Sequence, residues 1–468
     1  MVGCAVPFGR SYSVERQRIE VSFSPAKADR VTVHASYRLR NAGMPDIESL
    51  ELRLPDPANF TVENVHAEWS GHAAALKPIA DFKDQLHFDF GGSLRTKARG
   101  EFNLSYDLKI PSAEREANRT AIFLPSFGWY PLLLAAEGPL GSGGDWPAKW
   151  ELDVTIPENF VVHGSGRGAG KSRKGPETQW RFAQSAYDYL PFVAAGNYSA
   201  QELRSGDRTV IFWSNQPIAA ERAAALSQRL AADDKYFSEE FSARSKNAST
   251  VWVIECPQEA SALAERPWLT ITGCVTLPEA AVVPFGTLSG APGSKSDGTT
   301  MHSIDMQLAA SRFYFVARVD RSGPLYPLAA TNDYAVFSLE ASRDSAGRAA
   351  AIRTLLETLA AVAPGDTQKP LTAITPDDSP AVREAAHLRG ELFYIALEDR
   401  CGAPNVHHAL ARILRVMRGG AWSLSELRSA VEAECNSDLA DFFHQWLDHP
   451  GIPDEFRQKY SQGSTVHP

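Results

Sequence analysis

Two stretches of this sequence carry residue types at spacings that could do chemistry. His302 and Asp305 stand at i and i+3, on the approach to a helical stretch reading Met306-Gln307-Leu308-Ala309-Ala310-Ser311-Arg312-Phe313. Such a pair faces one side of a helix, and with His387 it could hold a metal ion if the three met in one cleft. A helical zinc hydrolase asks for more. It needs His-Glu-x-x-His, where both histidines reach one metal and the Glu takes a proton from the metal-bound water. None of the 12 histidines lies in such a motif. The second stretch, Gly164-Ser-Gly-Arg-Gly-Ala-Gly-Lys171-Ser172, imitates a phosphate loop. A true loop of that kind has glycine where this chain has Ser165, and a helix must follow to present its N–H groups. Here Trp180 and Phe182 return as a strand, so the segment reads as a basic hairpin tip. No Gly-x-Ser-x-Gly nucleophile elbow occurs either.

Five cysteines add a redox question. Cys256 ends one predicted strand and Cys274 lies in the next. Cys401 and Cys435 end two C-terminal helices that run parallel in an up-down array, which brings those ends to one level. Cys256–Cys274 and Cys401–Cys435 are therefore candidate disulfides, and bridges of this kind persist in oxidising compartments. The fifth, in Met1-Val2-Gly3-Cys4, is placed like the lipid-anchored cysteine at the end of a bacterial lipobox, although no full signal peptide precedes it. The expected location is extracytoplasmic, periplasmic or lipid-anchored through Cys4. The alternative is a cytosolic protein with five reduced thiols.

The elements that must position these groups fall into two kinds. Val31, Val33, Ala35, Tyr37 and Leu39 alternate with polar residues, as do Leu50 to Leu54, Leu86 to Phe90 and Phe102 to Leu108. Period two with turn residues between marks half-buried antiparallel strands, and Trp150 to Ile156 and Trp180 to Phe182 continue the pattern. From about Ala219 a helix runs through Leu226, Leu230 and Tyr236. Strands follow at 250–256 and 269–277, then a Gly/Pro/Ser-rich loop over 285–297. Helices dominate afterwards: Pro404 suits a first turn, Ser423 and Glu426 form a capping box, and Asp438 is placed to N-cap a last helix with the apolar stripe Leu439, Phe442, Phe443, Trp446 and Leu447. A chain of 468 residues needs more than one core. A net charge of −9 argues against a nucleic-acid footprint, and no apolar run is long enough for a transmembrane helix.

Four segments in order give a more specific pointer. They are Phe127-Gly-Trp129-Tyr130-Pro131; Trp150 to Phe160 with Trp180-Arg-Phe182 and Pro191-Phe-Val-Ala-Ala-Gly196-Asn-Tyr198; Arg389-Gly390 leading into a helix to Gly402; and Asp438 to Leu447 with Gly451 and Pro453. Together they resemble the M1 (gluzincin) family of zinc aminopeptidases over nearly the whole chain. The resemblance implies a zinc helix at 306–313, and there the chemical positions fail. Met306 and Ala310 fall at the two histidine positions and Gln307 at the general base. Asn332 falls at the third ligand, or Asp333 with a one-residue shift. His387 falls where the family has its oxyanion-stabilising Tyr, and the amine-gripping motif near Gly273 lacks its Glu. Thioether, amide and methyl groups cannot replace these ligands and this base.

The expected fold is thus multidomain β plus α. An N-terminal antiparallel, sandwich-like β domain spans 1–203, and a thermolysin-like α+β domain spans 204–468, helical from about 380. The expected function is that of a non-catalytic M1 homologue, a pseudo-peptidase with a peptide- or protein-binding cleft and no cofactor. Two alternatives stay open: a divergent metallopeptidase with a relocated zinc site, and a structural or assembly module.

Overall fold

The computed structural model describes residues 12–23, 30–41, 46–55, 60–74, 76–79, 82–109, 121–124, 129–134, 149–164, 167–184, 191–241, 250–256, 280–284, 288, 301–309, 318–319, 326–362, 369–375, 378–417 and 421–461. Cys4, Phe127, Gly273, Cys274, Ala310, the expected strand at 269–277 and most of the loop at 285–297 lie outside them.

Alternating strands need a partner for their apolar face, and in the N-terminal half they find it in two stacked sheets. An eight-stranded sheet runs in the order Arg167–Lys174, Glu177–Gln184, Trp150–Pro157, Tyr12–Phe23, Arg30–Asn41, Arg99–Lys109, Thr61–Trp69, His72–Ala74. Every neighbour is antiparallel except Tyr12–Phe23 against Trp150–Pro157. A four-stranded sheet contains Ile47–Arg53 and Phe82–Leu94. Its Leu50, Leu52 and Phe88 share a core with Val33, Tyr37, Phe102 and Leu152 of the larger sheet. The aromatic-Pro segment is pinned inside this core. The Tyr37 hydroxyl donates to the Pro131 carbonyl and the Tyr106 hydroxyl to that of Trp129, while the Trp129 indole donates to the Pro191 carbonyl. Two segments distant in sequence thus meet at one buried indole. The phosphate-loop mimic is not the hairpin tip expected from sequence: Arg167 to Ser172 belong to the strand Arg167–Lys174, paired with Glu177–Gln184, and the turn lies beyond them, with Gly175 in the left-handed region at φ 63°.

The C-terminal half opens with a mixed sheet, Ser199–Ser205, Arg208–Ser214, Thr250–Cys256 and Ala280–Pro284. The expected boundary at 203/204 falls inside its first strand. Thr250–Cys256 runs parallel to Arg208–Ser214 on one side. The partner described on the other side is Ala280–Pro284, and it also runs parallel. Helix α1 (Ala220–Glu240) packs against this sheet. The further helices are α2 (301–309), α3 (Tyr326–Ala329), α4 (Thr331–Arg343), α5 (Arg348–Val362), α6 (Pro380–Cys401), α7 (Ala403–Val416), α8 (Leu424–Cys435), α9 (Ala440–Leu447) and α10 (Asp454–Ser461). Helix therefore dominates from Tyr326 onward, ahead of residue 380.

Local sequence explains most of these limits. Ser379 caps α6 with Pro380 following, and Ser423 and Glu426 close a capping box on α8. The helix expected to start at an Asp438 cap begins later: its N-cap is Leu439, and Asp438 accepts the Ala440 N–H from one position further out. Nor is it the last helix, since α10 follows. Gly390 lets α6 cross α3 at close range. A Cβ there would lie 2.8 Å from Ala330 Cβ and 2.9 Å from the Tyr326 carbonyl oxygen. Cys401 and Cys435, ending α6 and α8, are disulfide-bonded with a Cα–Cα distance of 5.4 Å. Cys256 is buried at the end of its strand. Among the described residues no helix is long and apolar enough to cross a membrane.

Candidate functional site

Helices α2, α4 and α6 contribute side chains to one core and bring the sequence-predicted positions into one region. Met306 is half-buried against that core, and Gln307 is buried with its amide 3.4 Å from the Ser303 hydroxyl. Asn332 is buried, and its carboxamide oxygen has no hydrogen-bond partner among the described residues. His387, one helical turn before Glu391, lies with Nε2 2.8 Å from an Asp333 carboxylate oxygen. A second pair repeats the chemistry nearer the surface, where His302 Nδ1 is 2.9 Å from Glu340 Oε1. Glu340 and burial act on His302 in opposite directions. The hydrogen bond to Glu340 is the larger effect and raises its pKa.

The trio suggested by spacing does not assemble. Asp305 turns towards α1 and the end of α4, 3.3 Å from Arg229 and 3.5 Å from Arg343. Burial still lifts its pKa to about 6, against the pull of Arg229. Among the described residues no group of three histidine, cysteine or acidic side chains could hold a metal ion.

The residue that sequence reasoning missed is Glu391. It is only 9% exposed and makes no hydrogen bond or ion pair with a described residue. Burial drives its pKa well above the ordinary 4.5, and the carboxylates of Asp333 and Glu340 push it further the same way. Its signal was available: an acid at i+4 from His387 shares that residue's helix face. A raised folded-state pKa gives stability that is whole below the unfolded value and is lost as pH rises through the folded one. Gln has the shape of the protonated acid and does not titrate. Glu391→Gln is therefore expected to gain stability over the parent as pH rises above 4.5. Melting curves at pH 4 and pH 8 check this: the variant's advantage should appear at pH 8 and vanish at pH 4.

A separate constellation has the outline of a serine hydrolase relay. Ser338 Oγ is 3.0 Å from His407 Nε2, and His407 Nδ1 is 3.0 Å from Glu240 Oε2. Two observations deny it that chemistry. Ser338 is 6% exposed, and it sits inside α4, where neighbouring N–H groups are committed to helical bonds rather than to an oxyanion. The Tyr236 hydroxyl, 2.9 Å from Ser338, completes a polar tie joining α1, α4 and α7.

Comparison with protein-family models and with curated proteins finds no match. Comparison with solved structures does. An M1 zinc metallopeptidase mutant from Deinococcus radiodurans, bound to a Tyr-Ser-Ala substrate, superposes with a TM-score of 0.61 at 15% identity, covering 95% of this chain and 96% of that one. A two-domain M1 zinc metallopeptidase mutant bound to L-arginine gives 0.59 at 16% identity, with 95% and 96% covered. The Deinococcus radiodurans M1 zinc metallopeptidase also gives 0.57 at 14%, with 95% of each chain covered. The chain has the two-domain fold of M1 zinc metallopeptidases, a large N-terminal β domain followed by an α-helical C-terminal part.

Proposed function

We propose that this chain is a non-catalytic relative of the M1 metallopeptidases, whose cleft holds a peptide or protein ligand without cleaving it. The observation that carries this reading is the chemistry of α2. In the M1-like register it offers a thioether and an amide, Met306 and Gln307, where zinc hydrolysis needs an imidazole and a carboxylate. Met306 packs against the hydrophobic core and Gln307 lies against Ser303, so neither side chain is set up as a ligand or a base. Asn332 supplies a carboxamide where a third ligand would be a carboxylate, and Ala310 has no donor atom. These residues do not fit a zinc ion. The solved relatives above are described as zinc enzymes, and the shared fold does not carry that activity across changed site residues.

Purified protein is expected to hold well below one zinc per chain and to leave aminoacyl-arylamides intact. Elemental analysis after dialysis and an arylamide assay check both. Stoichiometric zinc together with hydrolysis would establish the competing reading, an M1-type aminopeptidase with a relocated metal. An extracytoplasmic location belongs to the same proposal, supported by the Cys401–Cys435 disulfide, since such bonds persist in oxidising compartments.

A further inference from the structure

We propose that the strand Arg167–Lys174 is a docking edge for an extended acidic peptide, which adds to the eight-stranded sheet as a ninth strand. This edge belongs to the β domain, and its pairing does not depend on whether α2 holds a metal.

Three observations carry it. The first is length. A sheet edge presents a row of unpaired N–H and C=O groups, and proteins commonly keep such edges short. The other edge strands described in the β domain obey this. His72–Ala74, Leu132–Leu134, Leu76–Ile79, Val161–Gly164 and Ala121–Leu124 have three or four residues each. Arg167–Lys174 lies at the end of its sheet with eight residues, or about 26 Å of edge. Its ladder to Glu177–Gln184 is regular from Gly170 to Lys174, so the outward backbone groups there are in register for another strand.

The second observation is exposure. Every residue from Gly168 to Lys174 is exposed, on both faces of the sheet. The hydrophobic core stops one strand earlier, at Phe182 and Trp180 of the neighbour. Packing places no demand on this strand beyond its ladder, so its side chains are free to serve a partner.

The third is charge. The strand carries four basic residues and no acidic one, in a chain of net charge −9. Residues directly opposite in a ladder share a face. Lys171 is opposite Trp180 and Arg173 opposite Thr178, so these two cations stand on one face, with Lys174 on the other, opposite Glu177. The Lys171 ammonium lies 4.3 Å from the centre of the Trp180 ring. Arg173 meets Glu158 at 2.8 Å, but with side chains 69% and 51% exposed this pair is weak and readily exchanged. Cations on an edge fend off neutral and basic strands, and they admit an acidic one. In an extended peptide, acids at i and i+2 share a face and can meet Lys171 and Arg173 while the backbone extends the ladder. An anionic lipid surface would use the charge alone, whereas a peptide uses the charge and the open ladder together.

The test is fluorescence anisotropy of the full-length protein, at low ionic strength, with fluorescein-labelled Thr-Glu-Val-Glu-Thr-Glu-Val-Glu. Saturable binding that weakens with added salt is expected. The same peptide with Gln for Glu should bind about tenfold more weakly, as should the Glu peptide N-methylated at every residue. Lys171→Glu combined with Arg173→Glu should lose the acidic peptide by a similar factor and bind a Lys-for-Glu peptide instead. Both side chains are exposed and outside the core, so the double variant should melt where the parent does. Equal binding of the N-methylated peptide would reveal a charged patch without strand pairing and overturns the proposal. So do equal binding of the Gln peptide, indifference to the double variant, and binding of phosphatidylglycerol vesicles with none of the peptide.

Discussion

Acidification is expected to loosen the junction between the β domain and the C-terminal domain through one residue, His163. Its ring lies among aromatics from both sides: perpendicular to Trp252 at 3.9 Å between centroids, 5.0 Å from Trp213 and 5.9 Å from Phe192. Its Nε2 is buried with no partner among the described residues, and burial pulls its pKa from 6.5 down to about 3. The neutral ring is therefore the folded form. The unfolded chain binds a proton below pH 6.5 that the folded one refuses until about pH 3, so stability falls with pH across that window. At roughly 1.4 kcal/mol per pH unit the loss is about 3 kcal/mol at a pH of about 4.5 and about 5 kcal/mol once the window is crossed. His163→Leu keeps an apolar side chain of similar reach and removes the titration. Denaturation midpoints at pH 7.5 and 4.5 should fall steeply for the parent and much less for the variant. Parallel falls would show that His163 does not govern acid sensitivity.

Arg389→Met is expected to cost about 3–5 kcal/mol, because it strips one buried guanidinium from several backbone carbonyls at once. Arg389 is 1% exposed and donates to the carbonyls of Lys369, Trp446 and His449, the last at 2.9 Å. It thereby ties α6 to the segment before the Leu371–Ala373 turn and to the C-terminal end of α9. Burial lowers its pKa to about 10, which still leaves it charged at neutral pH. Methionine fills much of the volume but leaves those carbonyls without a donor. Arg389→Lys should recover only part of the loss, since an ammonium cannot reproduce the planar fork. Urea midpoints, with amide exchange over Ala440–Leu447, report the effect. A change under about 1 kcal/mol, or unchanged exchange in α9, would show that the tie is dispensable.

What was legible in the sequence was local. Period-two alternation located the strands of the β domain, and Ser423 with Glu426 marked the start of α8, because strand faces and helix caps are set by residues within a few positions of each other. The ordered motifs also pointed to the fold. Trp129-Tyr130-Pro131 and the Pro191 segment were recognisable as patterns, and Arg389-Gly390 marked a helix whose glycine allows a close crossing. That a thioether, a carboxamide and a methyl group stand at Met306, Gln307 and Ala310 could be read from residue types alone. The sequence-based cap at Asp438 fell one residue outside the true start, a competition between neighbouring turn geometries that sequence does not resolve.

Only the tertiary structure decided which groups meet. The i, i+3 spacing of His302 and Asp305 suggested a shared ligand, yet the helix directs His302 to Glu340 and Asp305 to Arg229 and Arg343. His387 found its partner in Asp333, 54 residues earlier, and Glu391 acquired its character from burial beside two carboxylates on another helix. A charge's environment depends on desolvation and on neighbours distant in sequence, and both arise only when the helices pack. Residue identity fixed which groups stand at these positions; packing fixed the environment that each of them meets, as for the buried carboxyl of Glu391.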